Sequence, residues 1–258
     1  MGMPELLRTC LIVCPLVFLA GFVDSVAGGG GIISIPAYLL AGVPTRLALG
    51  TNKLVNCFGT GLSVGKYLKN GKVRLRVAVI SALGSILGSF VGTRLALLVR
   101  EQTLRVAVLV ALPCVALFLC FNRGFGSEGR ERDLSPAASA AVSLAIGLVI
   151  GCYDGLIGPG TGTFLILAFT AFLGLDLLTA SGCAKVSNLA SNITSAIVYI
   201  ASGNVRYLLA LPAVVFCMAG NYLGARYAIR GGSRNVRRVM FLVLGLLFVK
   251  VIVDFIRA

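Results

Sequence analysis

Five stretches of this chain consist almost entirely of apolar residues, and each is close to the length at which a helix crosses a lipid bilayer. A helix rises 1.5 Å per residue, so about 20 residues span a hydrocarbon core of about 30 Å. A helix of a soluble protein alternates polar and apolar faces, and these stretches do not. They are residues 75–99, 102–121, 136–153, 207–225 and 239–253. We therefore predict an all-α polytopic membrane protein.

The composition agrees with a lipid environment. Hydrophobic residues make up 58% of the chain and charged residues only 12%, about half the share in ordinary globular domains. The formal net charge of +14 could suggest a nucleic-acid partner. Most of the lysines and arginines, however, fall in short loops, where the positive-inside bias places them. We predict a multi-pass protein of the bacterial inner membrane, with the lipid bilayer as partner and no nucleic acid.

A polar motif occurs twice in the chain. Asp24 with the glycine run Gly28–Gly31 returns 130 positions later as Asp154 with Gly158–Gly162. Lys53 returns 132 positions later as Lys185. The offset of 132 then continues in later glycines and arginines, so two residues were inserted into an otherwise constant register. Such a pattern indicates a duplicated unit.

Each half of the chain divides into five predicted helical segments. In the first half they are roughly 6–27, 31–43, 48–68, 75–99 and 102–121. In the second half they are 136–157, 160–173, 178–201, 207–229 and 236–256. We therefore divide the chain into a first repeat (1–122), a polar linker (123–135) and a second repeat (136–258). The second segment of each repeat is short and follows a glycine-rich break, which predicts a discontinuous helix and leaves open whether 31–43 and 160–173 fully span.

The number of crossings decides how the repeats are related. Five crossings per repeat give an inverted repeat, whereas four, with the short segments entering and leaving on one side, give a parallel one. The most basic segments, 66–76 and 226–238, carry five Lys or Arg each. Ten crossings place both on one side of the membrane and eight place them on opposite sides. The positive-inside rule therefore favours inverted repeats.

Four charged residues lie in these apolar surroundings and are the first candidates for function. Charges inside a membrane are costly and usually line a pathway, so Asp24 and Asp154 are predicted to couple transport to protons. An aspartate at a helix end can instead serve as a cap. Lys53 and Lys185 are predicted to bind an anion, because an ammonium offers a compact charge and three donors. A lysine near a helix end can also extend to the membrane surface.

The glycine-rich breaks are predicted to supply backbone N–H groups to the same site. Glycine lets the backbone leave helical geometry in a protein-lined cavity, and the short helices that follow point their positive dipole ends at mid-depth. The glycine-turn residues expected at the site are Gly29, Gly30, Gly31, Gly160, Thr161 and Gly162. The neutral side chains expected to donate nearby are Asn52, Asn56 and Asn188, with Thr51, Ser187 and Asn192 as further candidates. Such residues can equally join helices.

Glycines at four-residue spacing form a second pattern. Gly84, Gly88 and Gly92 lie on one face of a predicted helix, and Gly220 and Gly224 repeat the pattern in the second half. Small residues at this spacing let membrane helices pack closely. We predict two close helix contacts there and no ligand site.

Together these motifs resemble the TauE/SafE family of sulfite exporters and related organic-anion permeases. The matching segments are 24–31, 48–54, 153–155, 158–162, 184–188, 191–192 and 223–226. They cover nearly the whole chain and occur in both halves. The resemblance implies two five-helix halves in antiparallel arrangement and the transport of sulfite, sulfonates or similar small anions.

The function predicted from the sequence is secondary transport of a small anion by alternating access. The expected partners are that anion and the lipid bilayer, and a homodimer is left open. No enzyme activity, cofactor or metal is predicted. A passive anion channel is the main alternative, because its lining could look the same. An intramembrane aspartyl protease is a weaker one, because Tyr153-Asp154 matches half of such a dyad but the Gly-x-Gly-Asp partner is missing.

Overall fold

The computed structural model describes the backbone of residues 3–121 and 134–257, and the side chains of 6–111 and 134–242. These residues form nine helices and no strands. The helices are α1 Met3–Ala27, α2 Gly31–Leu40, α3 Thr45–Lys69, α4 Leu75–Leu98, α5 Glu101–Phe121, α6 Pro136–Leu156, α7 Thr161–Leu173, α8 Leu177–Ala201 and α9 Tyr207–Arg257. The all-α fold class predicted from the sequence is confirmed. Most of the predicted linker 123–135 lies outside the described residues.

The ninth and tenth predicted segments form one long helix, α9, instead of two. Within it, Gly232 leaves helical geometry (φ 61°, ψ −156°), so the chain is kinked where the sequence predicted a loop. Only glycine adopts this backbone region readily. The two predicted segments are thus present in α9, and Gly232 separates them.

The polarity of the described residues is arranged as in a protein surrounded by lipid. On α4, Leu83, Leu87 and Phe90 face outward, whereas Asp24 and Lys53 are buried in the interior. Four described helical segments are long and apolar enough to cross a membrane: Leu6–Ala27, Leu75–Leu98, Pro136–Leu156 and Tyr207–Leu242. The structure therefore supports an integral membrane protein.

Two central helices, α3 and α8, are long but much more polar than these four. Each has 25 residues and is roughly 37 Å long, enough to cross a bilayer. Gly50 lies against Tyr199 and Gly61 against Leu189, so α3 and α8 run antiparallel. Most polar side chains between the ends of these helices lie in the interior, which explains why the helices do not have the composition of a lipid-facing helix.

The glycine pattern predicted for close helix packing is confirmed. A Cβ on Gly88 of α4 would overlap backbone atoms of Leu148 and Cys152 in α6. Gly220 of α9 meets the backbone of Phe18 and Phe22 in α1 in the same way. In both contacts residue numbers rise together, so α4 is parallel to α6 and α1 to α9. Each contact joins a helix of one half to a helix of the other.

Both basic segments lie near the beginning of α8. Gly182 packs against the backbone carbonyl of Lys72, and Ser233 donates to the carboxylate of Asp176, the N-cap of α8 (3.3 Å). Burial by itself raises the pKa of Asp176, but hydrogen bonds from Thr179, Leu178 and Ser233 outweigh it and lower the pKa. Segments 66–76 and 226–238 are therefore at the same end of the molecule.

The close contact between α4 and α6 predicts an intolerance to added volume. Gly88→Ala should lower stability by about 1–3 kcal/mol, the usual effect of overpacking, because the atoms it meets are backbone. Gly65→Ala in α3 is the control, since a Cβ there meets no atom within 4 Å. The melting temperatures of both variants in detergent should be compared with wild type. Equal melting temperatures for the two variants would contradict the packing described.

Candidate functional site

Helix α1 ends in the interior, and its last carbonyl groups are all hydrogen-bonded. The final four carbonyls of a helix have no partner within it, and an unsatisfied one is costly in a membrane. Here the donors come from the next turn and from three other helices. They are Gly28 N to Asp24 O (2.9 Å), Tyr67 Oη to Ser25 O (2.9 Å), Ser181 Oγ to Val26 O (2.7 Å) and Thr163 Oγ1 to Ala27 O (3.1 Å). These bonds allow the chain to break within the interior.

The two glycine-rich breaks lie against each other. A Cβ on Gly28 would overlap the backbone of Gly162 and Thr163, so only glycine permits this approach. Gly28 (φ 74°) and Gly160 (φ 81°) also have left-handed backbone conformations. The short helices α2 and α7 begin directly after these turns. Their N-terminal ends are thus brought together, as the sequence predicted.

The four buried charges form two ion pairs, and each pair joins the two halves of the chain. Lys53 Nζ lies 2.6 Å from Asp154 Oδ2, and Lys185 Nζ lies 2.7 Å from Asp24 Oδ2. The lysine of each repeat therefore pairs with the aspartate of the other. Removing one partner of a buried ion pair typically costs about 3–5 kcal/mol, because the remaining charge is uncompensated. The pairs tie the two breaks to α3 and α8.

The two carboxylates differ in their other contacts. Asp154 also accepts a hydrogen bond from Ser191 Oγ and shares the hydroxyl of Thr161 (2.8 Å) with the carbonyl oxygen of Gly158 (2.7 Å). Among the described residues, Lys185 is the one side chain that donates to Asp24. Asp154 thus has three side-chain donors and Asp24 has one.

A small polar cavity lies between the breaks, with a volume of about 20 Å³, room for about one water molecule. Both aspartates and Lys53 lie in its wall. Its complete lining is Asp24, Gly29, Gly31, Asn52, Lys53, Asn56, Asp154, Gly158, Gly160, Thr161, Gly162, Asn188 and Asn192. Carboxylate, ammonium, amide and hydroxyl groups thus meet around one small space.

Most of the residues expected from the sequence lie in this wall, and two do not. Gly30 packs against Ala20 and the Cβ of Asp24 instead. Lys185 is fully buried behind Asp24, outside the cavity lining. Of the further candidates, Asn192 lines the cavity and donates to Asn188 (2.7 Å). Thr51 and Ser187 instead bond to Arg206 N–H and to Ser81, so they join helices.

Several residues at the site were given no role in the sequence analysis. Ser191 bonds to Asp154, and Tyr67 and Ser181 cap the end of α1. Small hydroxyl residues in membrane helices usually join helices, so their type alone does not mark them as part of a site. For Ser191 the available signals were its place in the matching segment 191–192 and its position six residues after Lys185.

The two equivalent tyrosines give a test of how the end of α1 is held. Tyr67→Phe should destabilise the protein by about 1 kcal/mol, because it removes the hydrogen bond to Ser25 O. Tyr199 occupies the corresponding position in the second repeat, and its buried hydroxyl has no hydrogen-bond partner in the described part of the chain. Tyr199→Phe should therefore leave stability unchanged or raise it. Unfolding of both variants in detergent would check this, and an equal loss in both would contradict it.

Comparison with known proteins gives a consistent assignment. The family model described as sulfite exporter TauE/SafE matches residues 13–251. The probable membrane transporter protein ORF9 of a Sinorhizobium species is 34% identical over 92% of this chain and 90% of its own length. Two similar proteins are YfcA of Escherichia coli K12 (31%; 92% and 87%) and a Haemophilus influenzae protein (32%; 92% and 92%), both named as probable membrane transporters. No solved structure matches. The chain belongs to the TauE/SafE family.

Proposed function

We propose that this member of the TauE/SafE family is a secondary transporter that moves a small anion such as sulfite, a sulfonate or a related organic anion. The observation that carries the proposal is the cavity between the two glycine-rich breaks, where a lysine of one repeat faces an aspartate of the other. Intramembrane charges that line a cavity usually mark a transport pathway. The proposed role is that of a transporter, without enzyme activity.

We further propose that the two halves form an inverted repeat. The antiparallel packing of α3 and α8 supports this, because these helices occupy the same position in the two repeats. The location of both basic segments near the beginning of α8 supports a cytoplasmic assignment for that end, in line with the positive-inside bias. The proposed location is the inner membrane of a bacterium.

The composition of the site favours an anion over a cation. Ammonium, asparagine amides and the backbone N–H groups of glycine turns are all donors, and the starts of α2 and α7 add positive dipole ends. The carboxylates of Asp24 and Asp154 work against an anion unless a proton neutralises one of them. We therefore propose that a lysine leaves its aspartate to bind the anion and that the aspartate takes up a proton.

The size of the cavity supports alternating access. A space of about 20 Å³ holds about one water molecule, which is less than a polyatomic anion needs. Binding therefore requires the walls to separate. Inverted repeats provide such a movement by rocking one part of the fold against another, and the ion pairs between the repeats lie where the parts would separate.

A transport assay with purified protein in liposomes tests the proposal. Uptake of sulfite, toluenesulfonate and acetate should be measured with and without a pH gradient. Saturable uptake that the pH gradient drives against a concentration gradient is the expected result for at least one anion. Flux that does not saturate and only follows the concentration gradient would indicate the passive channel instead. Absence of any flux would contradict anion transport.

Lys53→Ala should abolish transport, because it removes the lysine that lines the cavity. Lys69→Ala is the matched control, since Lys69 is on the same helix but exposed at its end. Both variants should be purified as folded protein and assayed in liposomes with the anion that wild type transports. Wild-type flux through Lys53→Ala would contradict the proposed site.

A further inference from the structure

The two ion pairs are equivalent in the duplicated sequence but unequal in the structure. Lys53 and Asp154 both line the cavity. In the other pair only Asp24 lines it, and the side chain of Lys185 is 0% exposed. An anion in the cavity can therefore contact Lys53 directly, whereas Asp24 lies between it and Lys185.

The contacts of the two aspartates add a second inequality. If Lys53 turned away from Asp154, the hydroxyls of Thr161 and Ser191 would still donate to the carboxylate. If Lys185 left Asp24, that carboxylate would lose its one side-chain donor among the described residues. A buried carboxylate without donors is strongly unfavourable. The departure of Lys53 from Asp154 is therefore far less costly than the departure of Lys185 from Asp24.

The reason for this difference is visible in the sequence register. Thr161 corresponds to Gly31 in the first repeat, and Ser191 corresponds to Gly59. Glycine has no side chain to donate, and a Cβ at Gly59 would meet Cys217 and Asn221. The first repeat therefore has no hydroxyl at either position, and Asp24 depends on Lys185.

A neutral side chain beside Lys53 strengthens the assignment. Asn52 lines the cavity and is 4% exposed. Its side-chain amide can donate to a ligand in the cavity. Its counterpart in the second repeat is Ala184, so this donor too is present on only one side.

We propose that Lys53 and Asp154 form the substrate-responsive pair, with Asn52 as the second anion ligand, and that Lys185 and Asp24 form a permanent clasp between the repeats. The proposal rests on the proposed anion transport and deepens it. Lys53 moves from Asp154 to the anion, and the hydroxyls of Thr161 and Ser191 hold the Asp154 carboxylate until it takes up the coupling proton. Lys185 and Asp24 stay paired throughout.

Charge-neutral double variants test the inequality by transport. Each removes one ion pair without leaving an unpaired charge. Asp24→Asn/Lys185→Gln should keep saturable, pH-driven uptake of ³⁵S-sulfite with a lowered KM, because it removes a negative charge from the cavity wall. Asp154→Asn/Lys53→Gln should lose it. Equal loss in both double variants, or retention in both, would overturn the proposal.

Melting temperatures of the single variants test the clasp without any transport measurement. Lys185→Gln should lower the melting temperature clearly, and the double variant with Asp24→Asn should recover most of the loss. Lys53→Gln should lower it much less, because Asp154 keeps two hydroxyl donors. Similar losses in Lys185→Gln and Lys53→Gln would overturn the inequality even if sulfite is transported. Absence of sulfite uptake by wild type, together with the unequal losses, would overturn the substrate role and leave the clasp.

The positioning role of Thr161 has its own readout. Thr161→Val removes one donor from Asp154, so the carboxylate holds Lys53 more tightly and the KM for sulfite should rise roughly 2- to 10-fold, the worth of one hydrogen bond. Thr161→Ser should restore the KM, and both variants should keep kcat near wild type. An unchanged KM in Thr161→Val, or a fall in kcat alone, would overturn this role.

Discussion

Two buried lysines and two buried aspartates determine how the halves of this protein are joined. A charge inside a membrane protein must be neutralised by a partner, and here each partner comes from the other half of the chain. Without the other half, the lysine and the aspartate of each half would lack the partners that neutralise them here. The ion pairs therefore make the two repeats interdependent, and the cavity lies where they meet.

The same requirement explains the hydroxyl groups around the end of α1. A helix that stops within the interior leaves its last backbone carbonyls without partners. Here the hydroxyls of Tyr67, Ser181 and Thr163 donate hydrogen bonds to these carbonyls. These residues come from α3, α8 and α7. The break in α1 is thus stable only when the second half of the chain is folded against it. Backbone capping and ion pairing place the same constraint on the same region.

Much of this architecture follows from the sequence, because helix positions and glycine breaks depend on local patterns. The apolar stretches, the duplicated register and the regularly spaced glycines are local patterns, and they predict where helices lie, where they break and where they pack closely. The partner of Lys53 could not be derived in this way, since it depends on how α3, α6 and α8 pack in three dimensions. Lys185 was expected in the anion site, but it lies behind Asp24 because that carboxylate needs a donor. The helix α9 differs from expectation because one glycine was sufficient for a kink.

A duplicated site need not act symmetrically, and small residues decide where the symmetry ends. Glycine at positions 31 and 59 stands where the second repeat has Thr161 and Ser191. A hydroxyl can donate a hydrogen bond to a carboxylate while a lysine moves away, whereas glycine has no side chain that could donate one. The exchange of Lys53 between Asp154 and an anion thus becomes feasible on one side of the cavity, while the opposite pair keeps the repeats together. On this view the duplication supplies both pairs, and the absence of two hydroxyls from the first repeat separates their roles.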